Sequence, residues 1–588
     1  MDYYGFYTGK ILDAYEFLGC QYHRDHCVFT VFAPCAKRIT LIGDFNQWQE
    51  QEMSPVYNGQ FWQMDVSGNL VGQRYKYRIY RNDGRAIDHC DPYGYGMELR
   101  PQNASIVRDL HAYQFKDNNW MNSRTDGRNG PVNIYELHMG SWKMKGEEEG
   151  DWFTYQEVAQ ELIPYLHAHH YNYVEIMPLS EHPSDNSWGY QQTGFFAPTS
   201  RYGTMDDLKA FIDVCHQSRI GVLLDFVPVH FAIDDYALAN FDGTDLYEYP
   251  NGDVGNSEWG SRNFNHSRGE VQSFLQSNAM YWLKEYHVDG LRMDAISNII
   301  YWQGDANRGV NVNAVEFVKR MNQSLKQAFP TCMLIAEDSS NYPGVTKNVD
   351  EGGLGYDYKW DMGWMNDTLA FFQTGLDYRQ ENYHKLTFSM SYYWNEHYLL
   401  PLSHDEVVHG KATIIQKMYG EYEGKFDQVR VLYMYMFNHP GKKLNFMGNE
   451  IAMFREWDEK KPLDWLLLAY PKHADFLDYM TRLNELYCAH PALYACDYEQ
   501  IGFQWLMCNN EKNVCYAFER SDTKETILSA YNMSASAQTI VLKKPGLKNI
   551  KMLLASNDDK KPIYHLTEEG IEITLQSNTS MMALEETL

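Results

Sequence analysis

From about residue 126 to 485 the chain alternates between two periodicities, and this limits its fold more than any other feature. The apolar runs VNIYELHM (132–139), YNYVEIMP (171–178), GVLLDFVP (221–228) and GLRMDA (290–295) come first. MLIAED (333–338), DYKWD (357–361), LLPLSH (399–404) and KKLNFMG (442–448) follow. Such near-continuous apolar runs suit strands covered on both faces. Between them lie segments of helical period. One is 205–218, with Met205, Leu208, Phe211, Ile212 and Cys215 on one side. Another is 314–328, with Asn313 as its expected N-cap. Eight strands alternating with helices predict an α/β chain built on a parallel (β/α)₈ TIM barrel. A doubly wound sheet is the weaker reading, because no strand feeds a G-x-G-x-x-G turn. The polar stretch 230–268 after the third strand predicts an excursion over the barrel mouth.

The flanks have another rhythm. Short alternating strands at 27–34, 38–45, 59–66 and 73–80, with the turn Asn82-Asp83-Gly84, predict an N-terminal β-sandwich. FQWLMC, NVCYAFER, TILSAYNM, QTIVLK, KMLLAS and IEITL predict a C-terminal all-β domain. The expected domains are therefore 1–125, 126–485 and 486–588, a sensible division for 588 residues.

Charge and composition narrow the partners. With 51 basic and 78 acidic residues the formal net charge is −27, which argues against nucleic acid and against an anionic membrane surface. The chain carries 45 Tyr, 28 Phe and 15 Trp. Aromatic faces stack on the apolar faces of sugar rings, although a large aromatic core explains the same numbers. Trp48 and Trp62 are read as core residues rather than glucan platforms. The ten cysteines form no C-x-x-C pair, several lie in apolar runs, and free thiols are expected rather than a disulfide framework. The segment MDYYGFYTGK has no apolar stretch of signal length, and no run reaches the ~18 apolar residues of a membrane span. A cytoplasmic monomer without metal or cofactor is expected.

In a barrel, reactive groups belong at the C-terminal strand ends. Strand three ends Asp225-Phe-Val-Pro-Val-His230, strand four carries Arg292-Met-Asp294, strand five ends Ala336-Glu337-Asp338, and strand seven ends Ser403-His404-Asp405-Glu406. A lone strand-end Asp is usually a helix cap or a solvated loop residue. Four strands delivering carboxylates to one rim are harder to explain without function, since the anions would repel. Retaining glycoside chemistry uses such a set: one carboxylate attacks the anomeric carbon and a second, protonated, gives its proton to the leaving oxygen. The two must lie roughly 5–5.5 Å apart, and adjacent strands are about 4.8 Å apart. Asp294 is accordingly the expected nucleophile, kept ionised by Arg292 two residues before it. Glu337 on the next strand is the expected general acid/base. Asp405 is a third carboxylate for the sugar hydroxyls, and His230, His404 and Asp225 complete the substrate-binding set.

These four stretches resemble the four signature regions of the α-amylase superfamily, glycoside hydrolase family 13. The resemblance to the glycogen branching enzymes is wider. It includes Trp188-Gly-Tyr190-Gln191 followed by TGFFAPTSRYGT, GLGYDYKWDMGWMNDTL (353–369), LSHDEVVHGK (402–411), HPGKKLNFMGNE (439–450), REWD (455–458) and LDW (463–465). VFAPCAKRITLIGDFNQW is similar to the family 48 carbohydrate-binding module. The resemblance implies that Tyr190 is the platform under the sugar at the cleavage point. Ser340 stands where Thr is commoner and Asn449 where Gln is usual, both outside the catalytic set. Val229 replaces the Asn of calcium-dependent amylases, which speaks against a calcium site. The N-terminus is shorter than in many bacterial relatives with an extra β-module.

The implied activity is cleavage of an α-1,4 glucan linkage and transfer of the chain to a 6-hydroxyl, as in glycogen biosynthesis, with glycogen, amylose and amylopectin as substrates. Transfer rather than hydrolysis follows from the resemblance, not from the carboxylates. The alternatives are a hydrolase of the same superfamily, an amylase or a maltooligosyl-trehalose trehalohydrolase, and a non-catalytic glucan-binding protein. The intact Asp294, Glu337 and Asp405 count against the latter.

Overall fold

The computed structural model describes residues 1–146 and 148–586. Eight parallel strands close into a barrel in chain order: Asn133–Leu137, Tyr173–Ile176, Gly221–Phe226, Gly290–Met293, Met333–Ala336, Tyr358–Trp360, Tyr398–Leu402 and Lys442–Phe446. All residues of these strands are buried, which is why each reads as an apolar run rather than an alternating one. Helices Tyr155–Ala168, Met205–Gln217, Gly269–Glu285, Val312–Ala328, Met362–Gln373, Tyr422–Asn438 and Pro471–Ala489 cross between or follow strands. The fifth crossover differs. Its Ser-, Asn- and Gly-rich segment forms only the single 3₁₀ turn Val349–Glu351. Helix Val312–Ala328 begins earlier than expected. Asn311 is its N-cap, accepting from Ala314 N at 3.3 Å, while Asn313 donates to Ser267.

The chain divides into two compact units. One comprises Met1–Arg124, His138–Glu161 and Glu175–Tyr356; the other comprises Thr125–Leu137, Leu162–Val174 and Asp357–Leu588. The first holds the N-terminal sandwich, a sheet of Gly19–Tyr22, His26–Phe32, Phe61–Ser67 and Ser54–Val56 facing one built on Arg38–Gly43, Arg74–Tyr80 and Ala86–His89. Trp62 is buried and donates to Ala33 O, as a core residue should. Trp48 is not a core residue. The residue is 36% exposed and its indole N–H is held by Asp44, because the left-handed Gln47 and Trp48 swing it outward.

The second unit holds the C-terminal sandwich. Its larger sheet runs Phe503–Met507, Cys515–Ser521, Thr526–Asn532, Thr579–Glu586 and Asn549–Ala555, and a smaller sheet joins Gln538–Lys543, Gly570–Leu575 and Ile563–Thr567. Two of these strands, Ile563–Thr567 and Thr579–Glu586, have no counterpart in the expected set. In this unit Lys442, at the start of the eighth barrel strand, and Arg520, in the sandwich, share the buried Asp497 at 3.0 and 2.7 Å. No described helix is long and apolar enough to cross a membrane, and all ten cysteines are free.

A buried ionic cluster fixes the N-terminal ends of strands three and four. His216, on the last turn of helix Met205–Gln217, lies 2.8 Å from Asp117 and 3.0 Å from Asp289. Asp289 also accepts from Val222 N and Trp120 Nε1. Burial opposes a charge on His216, but Asp289 and Asp117 raise its pKa above the usual value. Burial likewise opposes the Asp117 and Asp289 anions, yet the histidine and their other donors hold both below the usual carboxylate range. The raised histidine stabilises fully below its unfolded pKa of about 6.5 and loses that effect as pH rises through its folded value. The depressed aspartates stabilise above about pH 3.9 and lose it as pH falls. Replacing His216 with Gln should therefore destabilise by about 1.5–3 kcal/mol at pH 6, since it removes the cation that Asp117 and Asp289 share and leaves them to His287 and Arg124. Denaturant titrations from pH 5 to 9 should also show a flatter pH dependence in the variant. An unchanged slope would remove His216 from the titrating set.

Candidate active site

Strands three and four pair so that Asp225 lies opposite Arg292. Arg292 is 1% exposed. Its Nη1 is 2.9 and 2.8 Å from the two Asp225 oxygens and 2.7 Å from Asp294 Oδ1. Burial alone would lower the guanidinium's pKa, but Asp225, Tyr190, Asp294 and Glu337 push it well above the usual range. The cation is permanent, and it stabilises the ionised forms of both aspartates.

The chain turns sharply after Asp294. Ala295 takes a left-handed conformation at φ 49°, uncommon for a residue with a Cβ. The turn aims its N–H at Glu337 Oε2, 2.7 Å away. Strand five pairs with strand four, Met293 opposite Ala336, and Glu337 N donates to Met293 O at 3.0 Å. The two expected catalytic carboxylates thus leave neighbouring strand ends, and the backbone following one is hydrogen-bonded to the side chain of the other.

Tyr190 is reached by a second left-handed bend. Trp188 and Gly189 have φ 54° and 92°, and a Cβ on Gly189 would lie 2.4 Å from Pro178 O, so only glycine fits. The Tyr190 hydroxyl donates to Asp225 Oδ2 at 2.5 Å, and the ring is half-buried rather than sealed in the core. His230 opens the short strand His230–Phe231, which pairs with Arg262–Asn263 inside the 230–268 excursion. Burial pushes the His230 pKa down to about 4, so the ring is neutral at neutral pH. Its Nδ1 has no hydrogen-bond partner among the described residues. The exposed Trp259 lies 5.0 Å from it between ring centroids, with its carbonyl held by Gln191.

In the other unit, His404 and Asp405 lie in the 3₁₀ turn that follows strand seven. His404 is buried, and its Nδ1 is 2.5 Å from Glu136 Oε1 while its backbone N–H donates to Glu136 Oε2. Its Nε2 is 3.4 Å from Asp405 Oδ1, and the Asp405 side chain is 51% exposed. Glu136 had not been expected from sequence. The signal available was a carboxylate inside the otherwise apolar run VNIYELHM. Among the described residues no group of three or more His, Cys, Asp or Glu could hold a metal ion.

Residues 17–94 match the carbohydrate-binding module 48 (isoamylase N-terminal domain) family, and 114–242 match the alpha amylase catalytic domain family. The chain is 41% identical to the 1,4-alpha-glucan branching enzyme GlgB of Fusobacterium nucleatum subsp. nucleatum, over 99% of this chain and 98% of that one. It is 42% identical to the 1,4-alpha-glucan branching enzyme GlgB of Bacillus subtilis, over 89% of this chain and 84% of that one. Among solved structures, the pullulanase of Bacillus acidopullulyticus superposes with TM-score 0.72 at 18% identity, covering 97% of this chain and 75% of that one. The apo pullulanase of Paenibacillus barengoltzii gives 0.75 at 17% identity, covering 99% and 97%. At those identities the structures share a fold.

Tyr190→Phe removes only the hydroxyl that donates to the Asp225 carboxylate. A hydrogen bond to a charged group contributes about 1.5–3 kcal/mol. The variant should lose about 10- to 100-fold in kcat/KM on amylose while its circular dichroism stays unchanged.

Proposed function

The chain belongs to the 1,4-alpha-glucan branching enzymes of the alpha-amylase family, and from that membership we propose a role for each group at the strand ends. The enzyme cuts an α-1,4 linkage in a glucan and joins the freed chain to a 6-hydroxyl, making an α-1,6 branch. The observation that supports the residue roles best is the Arg292 guanidinium shared by Asp225 and Asp294, with Glu337 on the adjoining strand end.

In the first half-reaction an Asp294 oxygen attacks the anomeric carbon. Glu337, as the carboxylic acid, protonates the glycosidic oxygen, and the reducing-side chain leaves with a free 4-hydroxyl. The remaining chain is then a β-glucosyl ester of Asp294. In the second, the Glu337 carboxylate takes the proton from a 6-hydroxyl of an acceptor glucan. That oxygen attacks the same carbon from the face the first chain left. Asp294 departs as an anion, and two inversions give net retention.

Arg292 holds Asp294 ionised, and Asp225 keeps Arg292 in place. Tyr190 lies under the sugar ring whose bond breaks. His230, neutral and with Nδ1 facing no protein partner, hydrogen-bonds a hydroxyl of that sugar. Asp405 binds its other hydroxyls as the ring distorts, and His404, oriented by Glu136, supports it. Glycogen, amylose and amylopectin are the proposed donors and acceptors. A monomer in the cytoplasm, where the ten free thiols stay reduced, completes the reading, with domains at 1–125, 126–485 and 486–588.

Incubation with amylose should lower iodine absorbance and produce α-1,6 anomeric signals in proton NMR, with few new reducing ends. A large rise in reducing ends without α-1,6 signal would identify a hydrolase instead. Glu337→Gln should lose about 10²–10⁴-fold in rate, because an amide cannot exchange the proton. Asp294→Ala should abolish turnover, and activity retained by that variant would overturn the nucleophile assignment.

A further inference from the structure

Two ionised side chains bond directly to the backbone of the loop that follows Asp405. Glu406 lies in a 3₁₀ turn, and the chain then passes through three left-handed residues, His409 (φ 57°), Gly410 (φ 78°) and Ala412 (φ 67°). Two of these carry a Cβ, so the path is not one the chain adopts unaided. The Glu456 carboxylate accepts from Gly410 N at 3.0 Å and from Ala412 N at 2.7 Å. The Lys417 ammonium, on the short helix Ile414–Lys417, donates to three carbonyls of the same loop. These are Glu406 O, Lys411 O at 2.8 Å and Ala412 O at 2.6 Å. Trp457 N donates to Val407 O at 3.0 Å, which ties the segment bearing Glu456 to the loop a second time. One carboxylate thus satisfies two of the loop's N–H groups and one ammonium three of its C=O groups.

We infer that Lys417 is a positioning residue for the branching reaction, a proton-dependent latch whose three N–H donors fix the 406–412 loop and thereby the strand-end segment carrying His404 and Asp405. An ammonium has three donors for three carbonyls. The neutral amine has two donors and a lone pair, which would face a carbonyl oxygen, so loss of the proton opens the loop. The charged groups around it are Glu406 and Lys411 on the loop and Glu456 on the facing segment, with His409 beside Glu456. Lys425, on helix Tyr422–Asn438, bonds Gln416 O and Met418 O at the end of the lysine's helix. Burial lowers the lysine's pKa, Glu406 and Glu456 oppose that, and the result is about 8. The latch is therefore closed at neutral pH and opens in the alkaline range. This inference rests on the role proposed for Asp405.

The test is the pH profile of kcat and KM for branching of amylose by the full chain. The wild type should lose kcat above about pH 8, with KM changing little, since Asp405 acts as the ring distorts. Lys417→Arg, whose guanidinium stays charged, should keep most activity at pH 7 and lose the part of the alkaline limb that the lysine adds to that of Glu337. Lys417→Met should be reduced about 10- to 100-fold in kcat at pH 7 and keep only the alkaline limb that the general acid Glu337 imposes. Hydrogen exchange of the 406–412 amides in the wild type, corrected for intrinsic rates, supplies a readout independent of any variant's folding. Protection should fall between about pH 7 and 9.5. An alkaline limb unchanged in a folded Lys417→Met or Lys417→Arg, or constant protection across that range, would overturn the latch. A wild type that does not branch at pH 7 would instead overturn the proposed function.

Discussion

Arg292 occupies a position from which most of the first unit's chemistry follows. It is buried at the end of a barrel strand in a chain of net charge −27, and one of its nitrogens is within 2.9 Å of oxygens from both Asp225 and Asp294. Two unit charges 4 Å apart repel by about 4 kcal/mol at an effective dielectric near 20. Without the guanidinium one carboxylate would take up a proton, and a protonated Asp294 is no nucleophile. Lysine would not serve equally. It is a point charge whose pKa falls readily on burial, whereas arginine stays charged. The tyrosine hydroxyl on Asp225 completes the arrangement by saturating an oxygen that the cation alone does not.

What could be read from the sequence follows from what side chains encode. The eight barrel strands were visible because burial on both faces demands uninterrupted apolar runs. Asp225, Arg292, Asp294 and Glu337 stood out as charges interrupting or ending those runs. The strand Thr579–Glu586 was hidden, because Met, Ala, Leu and Glu favour helix. Pairing on both sides, with Thr526–Asn532 and Asn549–Ala555, overrides that preference. Ile563–Thr567 was hidden for the opposite reason: it is an edge strand, mostly exposed, and has little apolar alternation to show. Lys417 and Glu456 were illegible in a stricter sense. Their partners are main-chain carbonyls and amides, which every residue has, so nothing in the letters around them marks the interaction.

The same logic explains Asn311 and Asn313. Both are good N-cap residues two positions apart, and propensity cannot choose between them. The structure decides by giving Asn313 another partner, Ser267, and leaving Asn311 to the helix. Trp48 is a related case. Its composition suits a core, but two consecutive left-handed residues turn it to the surface, and such a bend is a backbone property that an indole does not announce.

A site that must bind sugars cannot be held together by apolar packing alone, and this gives the ionic devices a common reason. Glucan hydroxyls need donors and acceptors, so the strand ends have to remain polar. Apolar side chains pack without direction, whereas hydrogen bonds to charged groups fix both distance and angle and are about twice as strong as neutral ones. The strained turn at 409–412 is accordingly met by charged groups. The Gly410 and Ala412 N–H groups go to Glu456, and the carbonyls around them to Lys417. A left-handed residue with a Cβ costs roughly 1–2 kcal/mol, and a hydrogen bond to an ion recovers about that amount. The balance is close enough that the proton on one lysine can decide it. Geometry held by ions is accurate under one set of protonation states, and it ties the working pH of the rim to groups that never touch the substrate.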